Sequence, residues 1–515
     1  MSGRAGKLRV ACAAAALSIA VFAGASPFSV LYDFTGVDAV QPQSSPLLVD
    51  SDGALVGTSP FGGSASQGSV FRFPLGGAAG SLQVVHSFTG AADGSVPFAG
   101  LVEDSAGNLY GVASAGGDSG DGTLFELARN GSSYAFERLY SFSGGADGSG
   151  PVGGLAIDAA ANLYGTTARG GAGGVGTVFE WSPGASAPTT LYAFSAPSTG
   201  VNADGALPEA PLLRDASGNL FGTAAVGGPS GDGVVFELSP AGSGYSFSVL
   251  HAFSGGEDET TPVGGLVADA AGDLFGTTSG DSGIALWGTV FELQRSGGAY
   301  VYRTLHAFQD AEDGASPYAS LVLDPAGDLF GTAAAGGASN AGTIFELFPA
   351  GSDFGFRLLY QFSAGFDGGL PAGGLVADAA AKLYGTTLAD GLFGWGTIFA
   401  LVPPPSAASR ILTTAPGVPV AVDLSASDPS LPGAAFTFAV ASPPAHGTLS
   451  PIGGGRTTYA PDPAFRGSDS FTYTAADANG TSNPATISIT VSSPEARRVI
   501  PAVPPDVVPA VEHPR

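Results

Sequence analysis

The sequence predicts an all-β protein, in which a seven-bladed β-propeller, closed by pairing of its N- and C-terminal strands, precedes a small β-sandwich. Three observations predict this fold. A unit of about 50 residues recurs seven times before residue 402, each unit offers four short apolar runs, and the order of the runs is permuted by one strand at the ends of the array. Self-similarity at such a period is typical of propellers and other repeat architectures.

The repeat unit is clearest in its third copy. Its apolar runs are Leu155–Asp158, Asn162–Thr167 and Gly176–Trp181, and a run of the form Leu-Tyr-x-Phe, Leu139–Phe142, precedes them. Branched and aromatic residues dominate the runs and Gly, Asp, Asn and Pro dominate the gaps, which is typical of strands and turns. Four strands per unit match a propeller blade. The Phe that ends the Leu-Tyr-x-Phe run recurs as Phe34, Phe88, Phe142, Phe194, Phe253, Phe308 and Phe362.

The two ends of the array are complementary. The array begins with a run of the Leu-Tyr-x-Phe type, Val30–Phe34, and ends with a run of the Gly-Thr-Val-Phe-Glu type, Thr397–Leu401. An open array would leave unpaired strand edges, which promote aggregation. We therefore expect Val30–Phe34 to pair antiparallel with Thr397–Leu401, so that residues 26–401 form a closed ring.

The N-terminus has the three parts of a secretory signal peptide. Basic residues precede the apolar run Val10–Phe22, and Ala23-Gly24-Ala25 offers a cleavage site. A transmembrane anchor is the alternative, but the apolar run is short for a bilayer span. We expect residues 1–25 to be cleaved and the protein to be secreted or at the cell surface. The single cysteine, Cys12, lies in this segment, so the mature chain is expected to form no disulfide.

Composition and charge restrict the classes of partner that the protein is expected to bind. The chain has 515 residues, a formal net charge of −26 and only 12% charged residues. Such an acidic chain repels phosphate backbones, so no nucleic-acid partner is expected. The hydrophobic content of 44% argues against general disorder.

The character of the chain changes after residue 401. Residues 402–409 form a Pro-rich linker, residues 410–493 carry short alternating runs that suit a small sandwich, and residues 494–515 form a Pro-rich tail that we expect to be disordered. The alternating runs are Val420–Leu424, Phe436–Val440, Ser470–Thr474 and Thr486–Val491. The segments Pro444–Leu449 and Phe465–Tyr473 are similar to bacterial Ig-like or cadherin-like modules, a resemblance that implies a spacer or adhesion module.

The repeat itself resembles the GloVer tandem repeat of exported bacterial proteins. The resemblance rests on Leu139–Phe142, Gly154–Asp158, Asn162–Thr167 and Gly176–Glu180 and extends over residues 30–401. It implies export but no settled activity. Members of that family carry variable C-terminal anchors, whereas this sequence shows no C-terminal hydrophobic anchor helix. No integral membrane segment is expected in the mature chain.

The histidines predict neither a metal site nor a catalytic site. His86, His251 and His306 occupy the position that Tyr holds in other copies of Leu-Tyr-x-Phe, which indicates packing. Zinc sites need several clustered ligands. No Ser/His/Asp set, HExxH motif or P-loop is present, so no catalytic residue is predicted.

An aspartate recurs in the loop that leads from the Leu-Tyr-x-Phe run into the next copy. It is either a turn residue that accepts backbone N–H groups or part of a ring of carboxylates that binds a cation such as Ca²⁺. No other cofactor is predicted. These candidate ligands are Asp93, Asp147, Asp204, Asp258, Asp313 and Asp367.

Aromatic residues enter the Gly-rich loops of two copies. Trp287 precedes the Gly-Thr motif of the fifth copy, and Phe393 and Trp395 precede that of the seventh. Exposed aromatics can stack on sugar rings, but they also fill gaps between blades.

The function predicted from these features is an exported, non-catalytic binding or scaffolding module for carbohydrate or protein ligands. A polysaccharide lyase or glycosidase built on a propeller is one alternative, which requires a polar cluster at the channel mouth and, for a glycosidase, two carboxylates about 5–10 Å apart. A purely structural surface repeat is the other.

Overall fold

The computed structural model describes residues 28–492 apart from 43–45, 77–81, 198–201, 257, 259, 281–286, 310–311 and 352. The predicted signal peptide and the predicted tail lie outside these residues. The regular structure of the described residues is entirely β, without a helix. The chain divides into two compact units: one comprises residues up to Pro405 with Asp428–Ala434 and Asp477–Thr481, and the other comprises Ser406–Ser427, Ala435–Ala476 and residues from Ser482 onward.

The repeat region forms seven four-stranded antiparallel sheets. Their strands, in chain order, are β1 (Phe28–Asp33), β2 (Leu48–Val49), β3 (Ala54–Ser59), β4 (Ser69–Pro74), β5 (Gln83–Ser87), β6 (Val102–Glu103), β7 (Leu109–Ala113), β8 (Thr123–Asn130), β9 (Ser133–Ser141), β10 (Ala156–Ile157), β11 (Leu163–Thr167), β12 (Thr177–Trp181), β13 (Thr189–Ala193), β14 (Leu213–Arg214), β15 (Leu220–Ala224), β16 (Val234–Ala241), β17 (Gly244–Ala252), β18 (Val267–Ala268), β19 (Leu274–Thr278), β20 (Thr289–Ser296), β21 (Ala299–Ala307), β22 (Val322–Leu323), β23 (Leu329–Ala333), β24 (Thr343–Ala350), β25 (Asp353–Gln361), β26 (Val376–Ala377), β27 (Leu383–Thr386) and β28 (Thr397–Leu401).

Six sheets are built from four consecutive strands, and the seventh joins the two ends of the array. Sheets 1 to 6 are β2–β5, β6–β9, β10–β13, β14–β17, β18–β21 and β22–β25, and sheet 7 has the order β26-β27-β28-β1. Strand β1 pairs antiparallel with β28, with Val30 opposite Phe399 and Asp33 opposite Thr397. The predicted pairing of these two segments is therefore present.

The observed strands differ in length from the predicted runs. The first strand of each sheet has only two residues, as in β10, because Asp158 ends it by turning the chain. In sheets 2, 4, 5 and 6 the third and fourth strands extend into hairpins of eight and nine residues, as in β8 and β9. The outer part of β9 alternates between exposed and half-buried residues. This outer part of β9 precedes the Leu-Tyr-x-Phe run, Leu139–Phe142, and has no such run of its own, so the sequence pattern did not predict it as a strand.

One glycine in each sheet lets the strands pack closely. A Cβ on Gly165 would lie 2.7 Å from Cζ of Phe179 and 2.9 Å from Cδ2 of Leu155. Phe179 is fully buried, and its ring occupies the space above the glycine. The Gly of the Leu-Tyr-Gly-Thr run is thus required by packing.

Neighbouring sheets are joined by threonine side chains. Thr58 Oγ1 of sheet 1 donates to the Ala99 carbonyl oxygen at 2.8 Å, in the segment that leads into sheet 2. The same bond recurs between other neighbours, as from Thr332 to Gly373 at 3.1 Å. Thr386 of sheet 7 donates to the carbonyl oxygen of Pro42, just before sheet 1, at 3.4 Å.

The second unit contains Ig-like β-structure. Its main sheet has the order β30-β38-β36-β33, a second sheet has the order β31-β35-β34, and β29 pairs with β32. The strands after residue 401 are β29 (Ser406–Ala407), β30 (Arg410–Thr414), β31 (Val420–Asp423), β32 (Ala426–Ser427), β33 (Thr437–Ser442), β34 (Gly447–Leu449), β35 (Arg456–Pro461), β36 (Gly467–Asp477), β37 (Gly480–Thr481) and β38 (Ala485–Val491).

The core of this unit lies between its sheets and includes Tyr459, Phe471 and Tyr473. Both tyrosines are fully buried and satisfy their hydroxyls: Tyr473 Oη donates to the Ala408 carbonyl oxygen at 2.7 Å, and Tyr459 Oη donates to Asp469 at 2.7 Å. Buried tyrosines with paired hydroxyls fix the sheets against each other.

Candidate functional site

Two loops lie side by side at one edge of each sheet. One precedes the first strand and the other connects the second and third strands; in sheet 3 they meet through a bridge between Ser149 and Arg169, and in sheet 7 through a bridge between Gly369 and Ala389. We call the surface formed by these loop pairs, represented in sheet 3 by residues 143–151 and 168–176, the loop face. The sequence-predicted site residues all belong to it.

Asp147 shows how the recurring aspartate is held. Its carboxylate accepts bonds from Tyr140 Oη at 3.0 Å, from the Ser143 N–H at 2.7 Å and from Ser143 Oγ at 2.5 Å. Burial favours the neutral acid, but the bonds from Ser143 and Tyr140 outweigh it and hold the pKa of Asp147 below its usual range. Burial, together with the bond to Asp147, raises the pKa of Tyr140 to about 12.

The other predicted aspartates are bonded in the same way, each within its own loop. Asp204 and Asp367 accept from Tyr192 and Tyr360 at 2.7 and 3.0 Å. The remaining three face a histidine Nε2: Asp93 faces His86 at 3.3 Å, Asp258 faces His251 at 3.2 Å, and Asp313 faces His306 at 2.8 Å.

The structure does not bring these carboxylates together around one point. Within the part of the chain that is described, no group of three or more His, Cys, Asp or Glu side chains is placed to hold a metal ion. A seventh aspartate, Asp38, accepts from Tyr32 Oη and from the Thr35 N–H. Sequence reasoning missed Asp38 because it follows the Phe of its run by four residues, whereas the aspartate follows by five residues in most other copies.

The three histidines pack between sheets, as predicted. The rings of His86 and Phe136 are stacked with centroids 4.0 Å apart, and those of His251 and Tyr302 are 4.3 Å apart. Burial lowers the pKa of His86 and His251 below the usual value, and the adjacent aspartates only partly offset it.

The predicted aromatic residues occupy two different environments. Trp287 is partly buried against the core cluster that contains Phe275, Val290 and Phe308. Phe393 and Trp395 are 54% and 42% exposed. Trp287 thus fills space between strands, whereas the aromatic residues of the seventh copy are available at the surface.

Phe393 and Trp395 belong to a larger apolar surface. We define the seam patch as the exposed apolar side chains of three loops beside sheet 7, which follow β1, precede β26 and connect β27 to β28. Its members are Val37, Phe366, Leu370, Leu392, Phe393 and Trp395. Phe366 is 78% exposed and Val37 is 74% exposed. Single exposed apolar residues are normal in soluble proteins, whereas large exposed apolar patches are typical of interaction sites.

Hydrogen bonds from backbone N–H groups hold the loops of the seam patch together. The Gly391 N–H donates to the Gly365 carbonyl oxygen at 2.9 Å, and the Leu392 N–H donates to Asp33 Oδ1 at 2.7 Å. The Trp395 ring lies on Gly36, where a Cβ would come within 2.8 Å of Nε1. The patch is therefore built on the junction between β1 and the last repeat.

At the positions of Phe366 and Phe393, most other copies carry small or polar residues. Phe366 precedes the loop aspartate, a place taken by Ala92 and Ala146 in the second and third copies. Phe393 corresponds to Ser119 and Ser230. The signal for the patch was therefore in the sequence, but only Phe393 and Trp395 were recognised, because Phe366 and Val37 lie far from them along the chain.

A cavity of about 460 Å³ opens among the segments that precede the first strands. We call it the inner cavity. A Pro-x-x-x-Leu segment precedes the first strand of sheets 2 to 7. The residue after its proline lines the cavity in all six sheets: Phe98, Val152, Glu209, Val263, Tyr318 and Ala372. Sequence reasoning missed this cavity, although Glu209 is the single charged residue in that aligned set.

Close packing around two glycines lines part of the cavity. A Cβ on Gly265 would lie 2.7 Å from Cγ of Pro211, and one on Gly154 would lie 3.1 Å from Cβ of Pro211. The Gly265 N–H is satisfied by Ser320 Oγ at 3.0 Å. Glycine at these two positions allows the segments of adjacent sheets to meet.

The comparisons with known families agree with the repeat and with the second unit. The profile of the Gloeobacter/Verrucomicrobia repeat matches residues 41–285 and 244–415. The profile of a bacterial Ig domain matches residues 403–490. Repeats and domains of these kinds are typical of extracellular proteins and are generally non-catalytic. Among the described residues there is no helix long and apolar enough to cross a lipid bilayer.

Solved structures show only distant likeness. The surface component PorZ of the type-IX secretion system of Porphyromonas gingivalis is 14% identical with a TM-score of 0.45, over 90% of this chain and 60% of that one. A structural genomics protein of unknown function from Bacteroides thetaiotaomicron is 12% identical with a TM-score of 0.37, over 59% of this chain and 72% of that one. Likeness at this level bears on neither function nor partner. No curated protein matches the chain significantly.

Proposed function

Because the chain belongs to the family of the Gloeobacter/Verrucomicrobia repeat and also carries a bacterial Ig domain, we propose that it is an exported, non-catalytic binding module that docks a protein partner through the seam patch. In this proposal residues 1–25 direct export, residues 26–401 form a seven-bladed β-propeller, residues 402–409 link it to an Ig-like sandwich of residues 410–493, and 494–515 form a tail.

Pairing at the two ends of the array supports the ring. Sheet 7 takes its outer strand, β1, from the start of the array. The hydrogen bond from Thr386 to the Pro42 carbonyl oxygen links sheets 7 and 1 in the same way as threonine bonds link other neighbouring sheets. An unpaired β28 would leave backbone N–H and C=O groups without partners.

The proposed docking function rests on the exposed side chains of the seam patch. Aromatic and aliphatic residues stand together there, and enrichment in aromatics with depletion of charge is characteristic of the centre of protein interfaces. Sugar sites also use exposed rings, but they need converging polar groups to recognise hydroxyls. The aliphatic members Val37, Leu370 and Leu392 therefore favour a protein partner over a carbohydrate.

A cell-binding experiment with purified protein tests the docking surface. Fluorescent protein is added to cells of the producing strain that lack the gene, and saturable binding is measured by flow cytometry. The variant F366A/F393S introduces residues that other copies carry at these positions. We expect at least a tenfold loss of affinity, since central aromatic anchors are typically worth about 2 kcal/mol or more.

Matched controls separate docking from other effects. Val301→Ala removes another exposed apolar side chain, on β21, and should leave affinity unchanged. Protease treatment of the cells should abolish binding, whereas periodate oxidation of glycans should not. Unchanged affinity of F366A/F393S would contradict the docking surface, and binding lost only after periodate, or to a glycan array, would assign a carbohydrate ligand instead.

A further inference from the structure

The inner cavity has features of a small-molecule site that is separate from the seam patch. Its volume of about 460 Å³ lies within the range of ligand pockets, roughly 300–1,000 Å³. Its lining is mainly apolar and includes Val152, Pro211, Val263 and Leu388. Pockets that bind small ligands combine such a lining with a few placed polar groups.

Glu209 supplies the negative charge in this cavity. It is the one ionisable carboxylate among the lining residues. Among the described residues, Glu209 has no hydrogen-bond donor and no ion-pair partner within 4.0 Å. The side chain of Glu209 stands at the open side of the cavity and is exposed to solvent. Partial desolvation by the cavity walls still raises the pKa of Glu209, and the more distant charge of Arg169 opposes this effect only in part. A carboxylate in such surroundings gains stability from a cation placed beside it.

Two aromatic side chains give the cavity a further means of recognition. Phe98 and Tyr318 stand on the walls contributed by sheets 2 and 6, and Tyr318 is partly exposed. Aromatic faces attract ammonium groups through their quadrupole, and they also contact apolar groups. A single carboxylate provides too few oxygen ligands for Ca²⁺, which takes six to eight.

We propose that the inner cavity binds a small organic cation, whose ammonium group pairs with Glu209 and whose apolar part contacts Phe98 and Tyr318. The net charge of −26 attracts cations to the protein in general. Glu209 then selects those with an apolar body that fits the cavity. This site does not depend on the proposed docking function.

Calorimetric titration of the whole protein with benzylammonium chloride, and in parallel with its uncharged counterpart benzyl alcohol, tests the proposal at pH 7.5. We expect a single site for benzylammonium and at least tenfold weaker binding of benzyl alcohol. Glu209→Gln should weaken benzylammonium binding at least tenfold and leave benzyl alcohol binding within twofold. Glu312→Gln, which neutralises an exposed carboxylate on the loop face, is the matched control and should change neither.

The variant Glu209→Val keeps the experiment decisive if Glu209→Gln does not fold. Valine stands at the same aligned position in the third and fifth copies, as Val152 and Val263. It should abolish the preference for the cation over the alcohol. Equal binding of the two probes to the unmodified protein, retained affinity in both Glu209 variants, or displacement of the cation by millimolar CaCl₂ would overturn the proposal.

Discussion

The Leu392 N–H donates a 2.7 Å hydrogen bond to Oδ1 of Asp33, a residue 359 positions earlier in the chain. Asp33 is the last residue of β1, and Leu392 belongs to the Gly-rich loop of the seventh copy. The bond places the end of the first described strand beside the exposed apolar residues of sheet 7. Strand β1 and the seam patch are therefore parts of one local structure.

Replacing Gly36 should disturb the seam patch more than an ordinary glycine replacement. Gly36 has φ +83°, and a Cβ there would lie 2.8 Å from Trp395 Nε1. Gly53 has a similar φ, +77°, but a Cβ there would meet no atom within 4 Å. Both Gly→Ala variants should lose about 1 kcal/mol to the left-handed backbone, and Gly36→Ala should lose more because the indole must move.

Thermal melting and tryptophan fluorescence measure the two effects. Gly36→Ala should shift the Trp emission to longer wavelength as Trp395 becomes more exposed, and Gly53→Ala should leave the emission unchanged. Equal melting temperatures and identical emission spectra for the two variants would show that Trp395 does not rest on Gly36.

The buried histidines should make stability depend on pH near neutrality. The folded state holds the pKa of His86 and His251 below the unfolded value, so at pH values between the two the unfolded chain binds more protons. Stability should therefore fall as the pH is lowered from about 6.5 toward the folded pKa. The variant H86Y/H251Y places at both sites the tyrosine that other copies use.

Urea denaturation at pH 7.5 and at pH 5.5 measures this dependence. The double variant should lose less stability between the two pH values than the unmodified protein. The aspartates with lowered pKa, such as Asp147, act in a lower window, because their stabilisation is lost only below about pH 4. An identical loss in both proteins would mean that other groups carry the pH dependence.

Asp328 should destabilise the protein at neutral and alkaline pH. It is 7% exposed, and burial with the nearby charges of Glu346 and Asp324 raises its pKa to about 8, against the opposing charge of Arg357. The folded state thus retains a proton that the unfolded chain has lost, so stability should fall as the pH rises from about 4 toward 8.

The variant Asp328→Asn should remove this cost. In the second copy Asn108 stands at the same position and donates Nδ2–H to Asp104 Oδ2 at 2.9 Å, a bond that the introduced amide can make to Asp324. We expect a gain of roughly 1–3 kcal/mol at pH 8 and a flatter pH profile. Asp273→Asn is the control, because Asp273 already accepts the Arg295 N–H at 2.6 Å. A loss of stability in Asp328→Asn at pH 8 would contradict the assignment.

The sequence predicts the sheets better than it predicts the site. Each sheet follows from local patterns, such as Asn162–Thr167 beside Gly176–Trp181, whose turn residues and apolar runs repeat seven times. The pairing of β1 with β28 is evident because the repeat is permuted. The position of Asp147 in a loop is equally evident, although its bonds to Tyr140 and Ser143 are not.

The seam patch and the inner cavity depend on contacts between distant segments. Phe366 and Val37 differ from the small or polar residues of the other copies, but they become part of one surface only when β1 lies beside β28. Glu209 stands at the aligned position that Val152 and Val263 occupy in other copies. Its place as the charged residue of a cavity is evident only when the six wall residues are seen to surround a common space. Non-local packing of this kind leaves no periodic signal in a single sequence.

The closed ring is tested most directly by a disulfide between β1 and β28. Ser29 lies opposite Ala400 in the antiparallel ladder, and Cα separations in such pairs, about 4.5–5.5 Å, suit a disulfide. In a chain that begins at Ser26, and so lacks Cys12, the variant S29C/A400C should oxidise to a monomer with no free thiol and a raised melting temperature. The control S29C/A241C, whose second cysteine lies at the end of β16, should keep both thiols. Disulfide-linked dimers, or free thiols equal to those of the control, would contradict closure of the ring by β1.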